Sequence, residues 1–316
     1  MDTKKYVSKF QNGETVDEIL SRAISGGAID QALQLKVGEN LLDGGCFLPG
    51  CIVNQRGQTE YTANCYTIDR WRCYTAGASI SITENGLSIK QAAAAAGYAQ
   101  LLQRIEPAVW NEIYGNSRTV TVSILRADGV LRTKTGKTSE FGILVIHGGS
   151  YFRFTSAYQA FDMIIIGDEC PDIVAVKLEL GDTQTLAHQD AEGNWVLNEI
   201  PDYGQELAKC LRYFERIQGT AGYNTAIGVG SGRADTIWVP LRIHPKRAVP
   251  TVVLSGVFAY GISSLSEGAA TSVTIGVTVK PKHDILQLAV EGAFTAGTMY
   301  RVGFQGDAYL DFSADL

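Results

Sequence analysis

The run Thr119-Val120-Thr121-Val122-Ser123-Ile124-Leu125, TVTVSIL, decides the fold class. Val120, Val122 and Ile124 share one face, and Thr119, Thr121 and Ser123 share the other. A period of two sets side chains alternately on the two faces of a sheet, so the run predicts a half-buried strand of an antiparallel sheet. The run 173–180, IVAVKLEL, repeats the pattern with Val174, Val176, Leu178 and Leu180 on one side. Glu179 falls on its polar side and is expected to be exposed. Ile143 to Ile146 and Met163 to Ile166 are unbroken apolar runs, which read as central sandwich strands. Turn signals separate these runs: Ala127-Asp128-Gly129, His147-Gly148-Gly149 and Glu192-Gly193-Asn194. Val273, Ile275, Val277 and Val279 alternate again, and the segment 309–316 does so to the last residue, which predicts pairing in a sheet.

Two segments depart from this pattern. Residues 1–36 read as helical: Thr15 and Glu18 have capping-box spacing, Val16, Ile19, Leu20, Ala23 and Ile24 form a narrow apolar stripe, and Gly26-Gly27 ends it. So short a helix is marginal alone, and its stripe must pack on the body or on copies of itself. Gln205 to Ile217 also reads as a helix, with Leu207, Leu211 and Phe214 on one side and Gly219 and Gly222 behind it. It marks the boundary between two β regions. Ala92 to Ala96 fits either a short helix or an edge strand.

The composition agrees with a β protein. A length of 316 residues accommodates about two domains. Thirty-four glycines and three methionines suit short strands joined by tight turns. The net charge of −6 gives no basic footprint for nucleic acid or an anionic membrane. His244-Pro245-Lys246-Arg247 is too short a cluster to change that. No apolar run approaches the ~20 residues that span a bilayer, so no membrane insertion is expected. MDTKKYVSKFQNGE has no apolar core or cleavage site, and synthesis in a cytoplasm without a signal peptide is expected.

Catalytic and metal motifs are absent. The six cysteines contain no C-x-x-C pair and read as buried, reduced thiols. His147-Gly148-Gly149-Ser150 resembles an oxyanion loop, but no G-x-S-x-G elbow accompanies it. Gly228-Val229-Gly230-Ser231-Gly232 lacks the spacing of a nucleotide loop. The four histidines lie far apart, and no cofactor or metal is expected. Glu106, Glu112, Asp162 and Glu179 are candidate carboxylates without distinguishing context. The remaining signal is aromatic. Trp110, Tyr114, Tyr151, Tyr158 and Trp195 sit in or beside predicted loops and strand ends, and such rings stack on the C–H faces of sugars.

One further stretch, NQRGQTEYTANCYTIDRW at 54–71, carries a resemblance. By itself it predicts a strand and turn at Asn54 to Gly57, an Asp69–Arg70 pair and a core Trp71 on a strand running through Arg72 and Tyr74. With Asn40-Leu41-Leu42-Asp43 before it, it resembles the start of a β-sandwich module common in tail fibres of phages and prophages. Ordered markers follow: Gln103-Arg104-Ile105-Glu106, Lys177-Leu178-Glu179-Leu180-Gly181, and the E-L-A-x-C-x-R-Y-F pattern from Glu206 to Phe214. Arg247-Ala248-Val249-Pro250-Thr251-Val252 and Tyr309-Leu310-Asp311-Phe312-Ser313 resemble the distal β-domain of such fibres. At Asp43 to Cys51 the sequence departs from that module, with Gly44-Gly45-Cys46 in place of an aromatic run.

The resemblance implies a carbohydrate-binding-like jelly roll, attachment to a virion and a homotrimer. The expected architecture is mainly β: an attachment or trimerisation helix (1–36), a jelly-roll β-sandwich (37–204), a connecting helix (205–218) and a smaller sandwich-like β-domain (219–316). The expected function is non-enzymatic recognition of host surface glycans by a receptor-binding fibre, with other virion proteins held through residues 1–36. The alternatives are a structural head or tail decoration fibre and a polysaccharide depolymerase.

Overall fold

A computed structural model describes residues 38–58, 61, 65–74, 78–91, 97–167, 169–218, 226–230, 236–261, 268–270, 273–275, 285–291 and 294–315. The expected helix in 1–36 and the Ala92 to Ala96 run lie outside them.

The protein is mainly β, and its first unit is an antiparallel β-sandwich. Its strands are β1 (Cys65–Tyr66), β2 (Arg72–Cys73), β3 (Ala78–Thr83), β4 (Gly86–Gln91), β5 (Ala99–Arg104), β6 (Thr119–Arg126), β7 (Leu131–Lys137), β8 (Ile143–His147), β9 (Ser150–Thr155), β10 (Ala160–Ile165) and β11 (Ile173–Leu180). One sheet has the order β1-β2-β5-β10-β9-β8, the other β3-β4-β11-β6-β7. A short helix, α1 (Pro107–Trp110), widens into one π turn at Asn111–Gly115 between β5 and β6.

Alternation decides what fills the space between the sheets. Val120, Val122, Ile124, Val176 and Leu178 point inward from one sheet, and Leu101, Phe152, Phe161, Met163 and Ile165 from the other. Trp71, fully buried, packs edge-on against Phe47 and Phe161. On the opposite face of β6 Thr119 is exposed but Thr121 and Ser123 are buried, and their hydroxyls find partners: Thr121 contacts Thr135 at 2.9 Å, and Thr133 donates to Ser123 at 3.3 Å. Run 143–146 is not central. β8 is an edge strand, with Leu144 and Ile146 inside and Ile143 and Val145 each 49% exposed. β10, by contrast, lies between β5 and β9.

Residues 40–47 run along β11 where β4 leaves it. Leu41 N donates to Leu178 O at 2.8 Å, Val176 N to Gly45 O at 2.7 Å and Phe47 N to Val174 O at 2.9 Å. A Cβ on Gly45 would lie 2.4 Å from Val176 O, which explains glycine at this approach.

Beyond the sandwich come a hairpin, β12 (Ala187–Gln189) and β13 (Trp195–Leu197), then helix α2 (Tyr203–Leu211). Asp202 caps α2, its Oδ1 accepting from Gln205 N at 3.0 Å. The helix ends at Leu211, six residues short of the predicted Ile217. Phe214–Gln218 is instead a strand, β14, held by antiparallel pairing with residues 309–313. Long-range pairing here overrides a local helical spacing.

The remaining strands are β15 (Ala226–Gly230), β16 (Thr236–Arg242), β17 (Thr251–Gly261), β18 (Gly268–Ala270), β19 (Val273–Ile275), β20 (Ile285–Glu291) and β21 (Met299–Ser313). With β14 they form an eight-stranded sheet, and β21 pairs with β14, β15 and β17. The expected pairing of the last segment is therefore met through Ser313.

Candidate functional site

The 54–71 stretch builds a joint, with no strand at Asn54 to Gly57. That tetrapeptide is a turn, closed by Gly57 N donating to Asn54 O at 3.2 Å. Arg56 reaches Asp69 at 3.1 Å and Asp315 at 2.7 Å, and its guanidinium lies 3.6 Å from the Phe214 ring centroid. Gln55 Nε2 donates to Asp69 Oδ2 at 2.6 Å and Phe214 O at 3.0 Å. Arg216 donates back to Arg56 O at 2.7 Å and grips Asp311 through two bonds. These contacts join the sandwich to β14 and to the end of β21.

Asp69 and Arg70 do not pair with each other. Arg70 adopts a left-handed φ of 72° and turns its side chain to Asp43 at 3.0 Å, with its guanidinium 3.4 Å from the Tyr213 ring centroid. Trp71 Nε1 donates to Gly44 O at 2.9 Å, while Gly44 N donates to Glu206 of α2 at 2.8 Å. Gln55, Arg56 and Arg70 thus hold the sandwich against Phe214, Asp315 and Tyr213, and Gly44 ties it to α2.

The five aromatic candidates separate into three places. Trp110 and Tyr114 stack on each other, centroids 4.5 Å apart, and Trp110 is buried in the sandwich rim. Trp195 lies on β13 and packs over Leu125, Ala175, Leu186 and Ala187, on the far side of the five-stranded sheet. Tyr151 and Tyr158 belong to the six-stranded sheet, on the face turned away from the core.

That outer face holds the candidate site. Asp162 of β10 is fully buried there, accepting two bonds from Gln100 Nε2 at 2.9 Å each and one from Arg153 Nε at 3.1 Å. Burial pushes its carboxyl above the usual range, while Gln100 and Arg153 pull it down. Tyr151 lies two residues before Arg153 on β9, with the Arg153 guanidinium 6.0 Å from its ring centroid. Tyr158, in the β9–β10 turn, bonds the Tyr74 hydroxyl at 2.7 Å, and the two rings lie 4.8 Å apart. That bond raises the Tyr158 hydroxyl above its ordinary value. All three tyrosines are half-buried. Tyr151 thus lies beside the Arg153 guanidinium, and the Tyr74–Tyr158 pair joins the Gln100 strand through Tyr74 N.

Sequence reasoning missed Tyr74, Gln100 and Arg153. Register brings them together: Arg153 is directly opposite Asp162, and Tyr74 N donates to Gln100 O at 3.0 Å. The other candidate carboxylates are engaged elsewhere. Glu106 accepts from Tyr213, Glu112 pairs with Arg118, and Glu179 is fully buried, accepting from Thr185 N and Oγ1 at 2.8 and 2.6 Å. The expected exposure of Glu179 fails because Thr185, beyond the strand end, covers it. Among the described residues no group of three His, Cys, Asp or Glu converges as metal ligands would, and no helix is long and apolar enough to cross a membrane.

No protein-family model, curated protein or solved structure matches the chain.

Proposed function

We propose that this is a non-enzymatic virion fibre protein of a phage or prophage, which recognises host surface glycans through the outer face of its six-stranded sheet. The observation that carries this reading is the grouping of Tyr74, Tyr151 and Tyr158 around Asp162, Gln100 and Arg153. Half-buried rings offer flat apolar faces to sugar C–H groups, and the Arg153 guanidinium, 43% exposed and oriented by the buried Asp162, suits hydroxyls. The ordered sequence markers of tail-fibre modules support the same reading, including its jelly-roll assignment and homotrimer. So shallow a face binds one sugar weakly, and three copies on one particle multiply the contact through avidity.

The test is binding of the purified full chain to a panel of bacterial capsular and lipopolysaccharides, read by biolayer interferometry. Binding to at least one polysaccharide without release of reducing ends supports the proposal. Release of reducing ends favours a depolymerase. A structural decoration fibre is the second reading, favoured by the complete burial of Asp162, and it predicts no binding across the panel.

A further inference from the structure

Two of the six cysteines lie in one loop with their sulfurs almost touching. Cys46 Sγ is 3.1 Å from Cys51 Sγ, both thiols are free, and both side chains are buried. The loop between them turns tightly, with Cys51 N and Ile52 N both donating to Leu48 O, at 3.1 and 3.2 Å. A disulfide needs its sulfurs at about 2.05 Å, so closure asks for a movement of roughly 1 Å. Backbone bonds already hold the first partner in place. Gly45 O accepts from Val176 N, Cys46 bridges Ala175, and Phe47 N donates to Val174 O. The second partner follows Pro49 and Gly50, which are exposed, so opening one turn brings Cys51 to solvent.

We propose that Cys46 and Cys51 are a modification site, a dithiol that closes to an intraloop disulfide by exchange with a small-molecule disulfide once the protein leaves a reducing compartment. The Cys51 thiolate attacks one sulfur of R–S–S–R and expels RS⁻, which takes up a proton equivalent to the one Cys51 lost. Cys46 then loses its proton and attacks the Cys51 sulfur, breaking the bond to R and expelling the second RS⁻. Two protein thiols are oxidised, and one R–S–S–R is reduced to two RSH. Burial pushes the Cys46 thiol up to about 12, which makes it the poorer first nucleophile and assigns it the resolving step. The product fixes the segment that receives Trp71 Nε1 at Gly44 O and joins Glu206 through Gly44 N.

The test incubates the reduced full chain with oxidised glutathione at neutral pH, denatures it in excess N-ethylmaleimide so that the buried thiols are trapped as they are exposed, and maps peptides by mass. The expected result is a linked Cys46–Cys51 peptide, uptake of two fewer maleimides than the six of the reduced chain, and no such peptide in Cys46→Ser or Cys51→Ser. Wild-type mapping decides the matter even if a serine variant fails to fold. Both cysteines alkylated, a stable glutathione adduct on Cys51, or linkage confined to Cys65 and Cys73, which face each other across β1 and β2, overturns the proposal.

Discussion

The Arg56 guanidinium lies 3.6 Å from the Phe214 ring centroid while pairing with Asp69 and Asp315, whose side chains are 1% and 6% exposed. One guanidinium thus bridges two carboxylates from different parts of the chain. Removing it strands both charges, a loss of about 3–5 kcal/mol for broken buried pairs. Arg56→Ala is expected to lower the urea midpoint accordingly. Arg56→Lys, which keeps the charge but not the fork, should fall between the two. An alanine variant as stable as wild type would show that the Arg56 pairs contribute nothing.

Asp69 gives the joint a pH dependence. Burial pushes its carboxyl up to about 6, against the pull of Arg56 and Gln55. In the unfolded chain it returns to about 3.9. The folded state therefore holds the proton more tightly, and this contribution is fully present below about pH 4 and lost as pH rises through about 6. The stability difference between wild type and Asp69→Asn, which cannot ionise, should fall by on the order of 3 kcal/mol over that window and then stay level. Urea midpoints at several pH values measure it, and a difference that rises with pH contradicts the assignment.

Gly86 opens β4 at a φ of 131°, and a Cβ there would lie 2.4 Å from Ile173 O. Neither the dihedral nor the backbone contact yields cheaply. Gly86→Ala is expected to destabilise the sandwich by about 2–5 kcal/mol, read by thermal or urea unfolding. Gly57, where the same added atom meets nothing within 4 Å, is the control, with only its φ of 68° to strain it.

The mainly β class was legible because Val120, Val122 and Ile124 repeat at the period of a strand, and that period survives whatever packs around it. The same rule could not say what covers the other face, so Glu179 and Thr121 read as exposed or half-exposed and are buried. Phe214 shares helical spacing with Leu207 and Leu211, yet its strand is set by Ser313, about a hundred residues on. Tyr151 and Tyr158 could be picked out as aromatics beside turns. Tyr74, Gln100 and Arg153 could not, because only the strand order places them around Asp162. Asp69 and Arg70 looked like a pair by adjacency and are turned apart by the left-handed backbone of Arg70 itself.

The glycan-binding proposal makes the outer face of the six-stranded sheet matter and the opposite side of the sandwich not. Its most direct measurement compares Tyr151→Ala and Tyr158→Ala with Trp195→Ala in binding to the bacterial polysaccharide that wild type retains. Loss of a stacking ring is worth roughly 1–2 kcal/mol, so each tyrosine variant should bind about tenfold more weakly, while Trp195→Ala binds as wild type does. Undiminished binding by both tyrosine variants, or a loss in Trp195→Ala alone, would contradict the account.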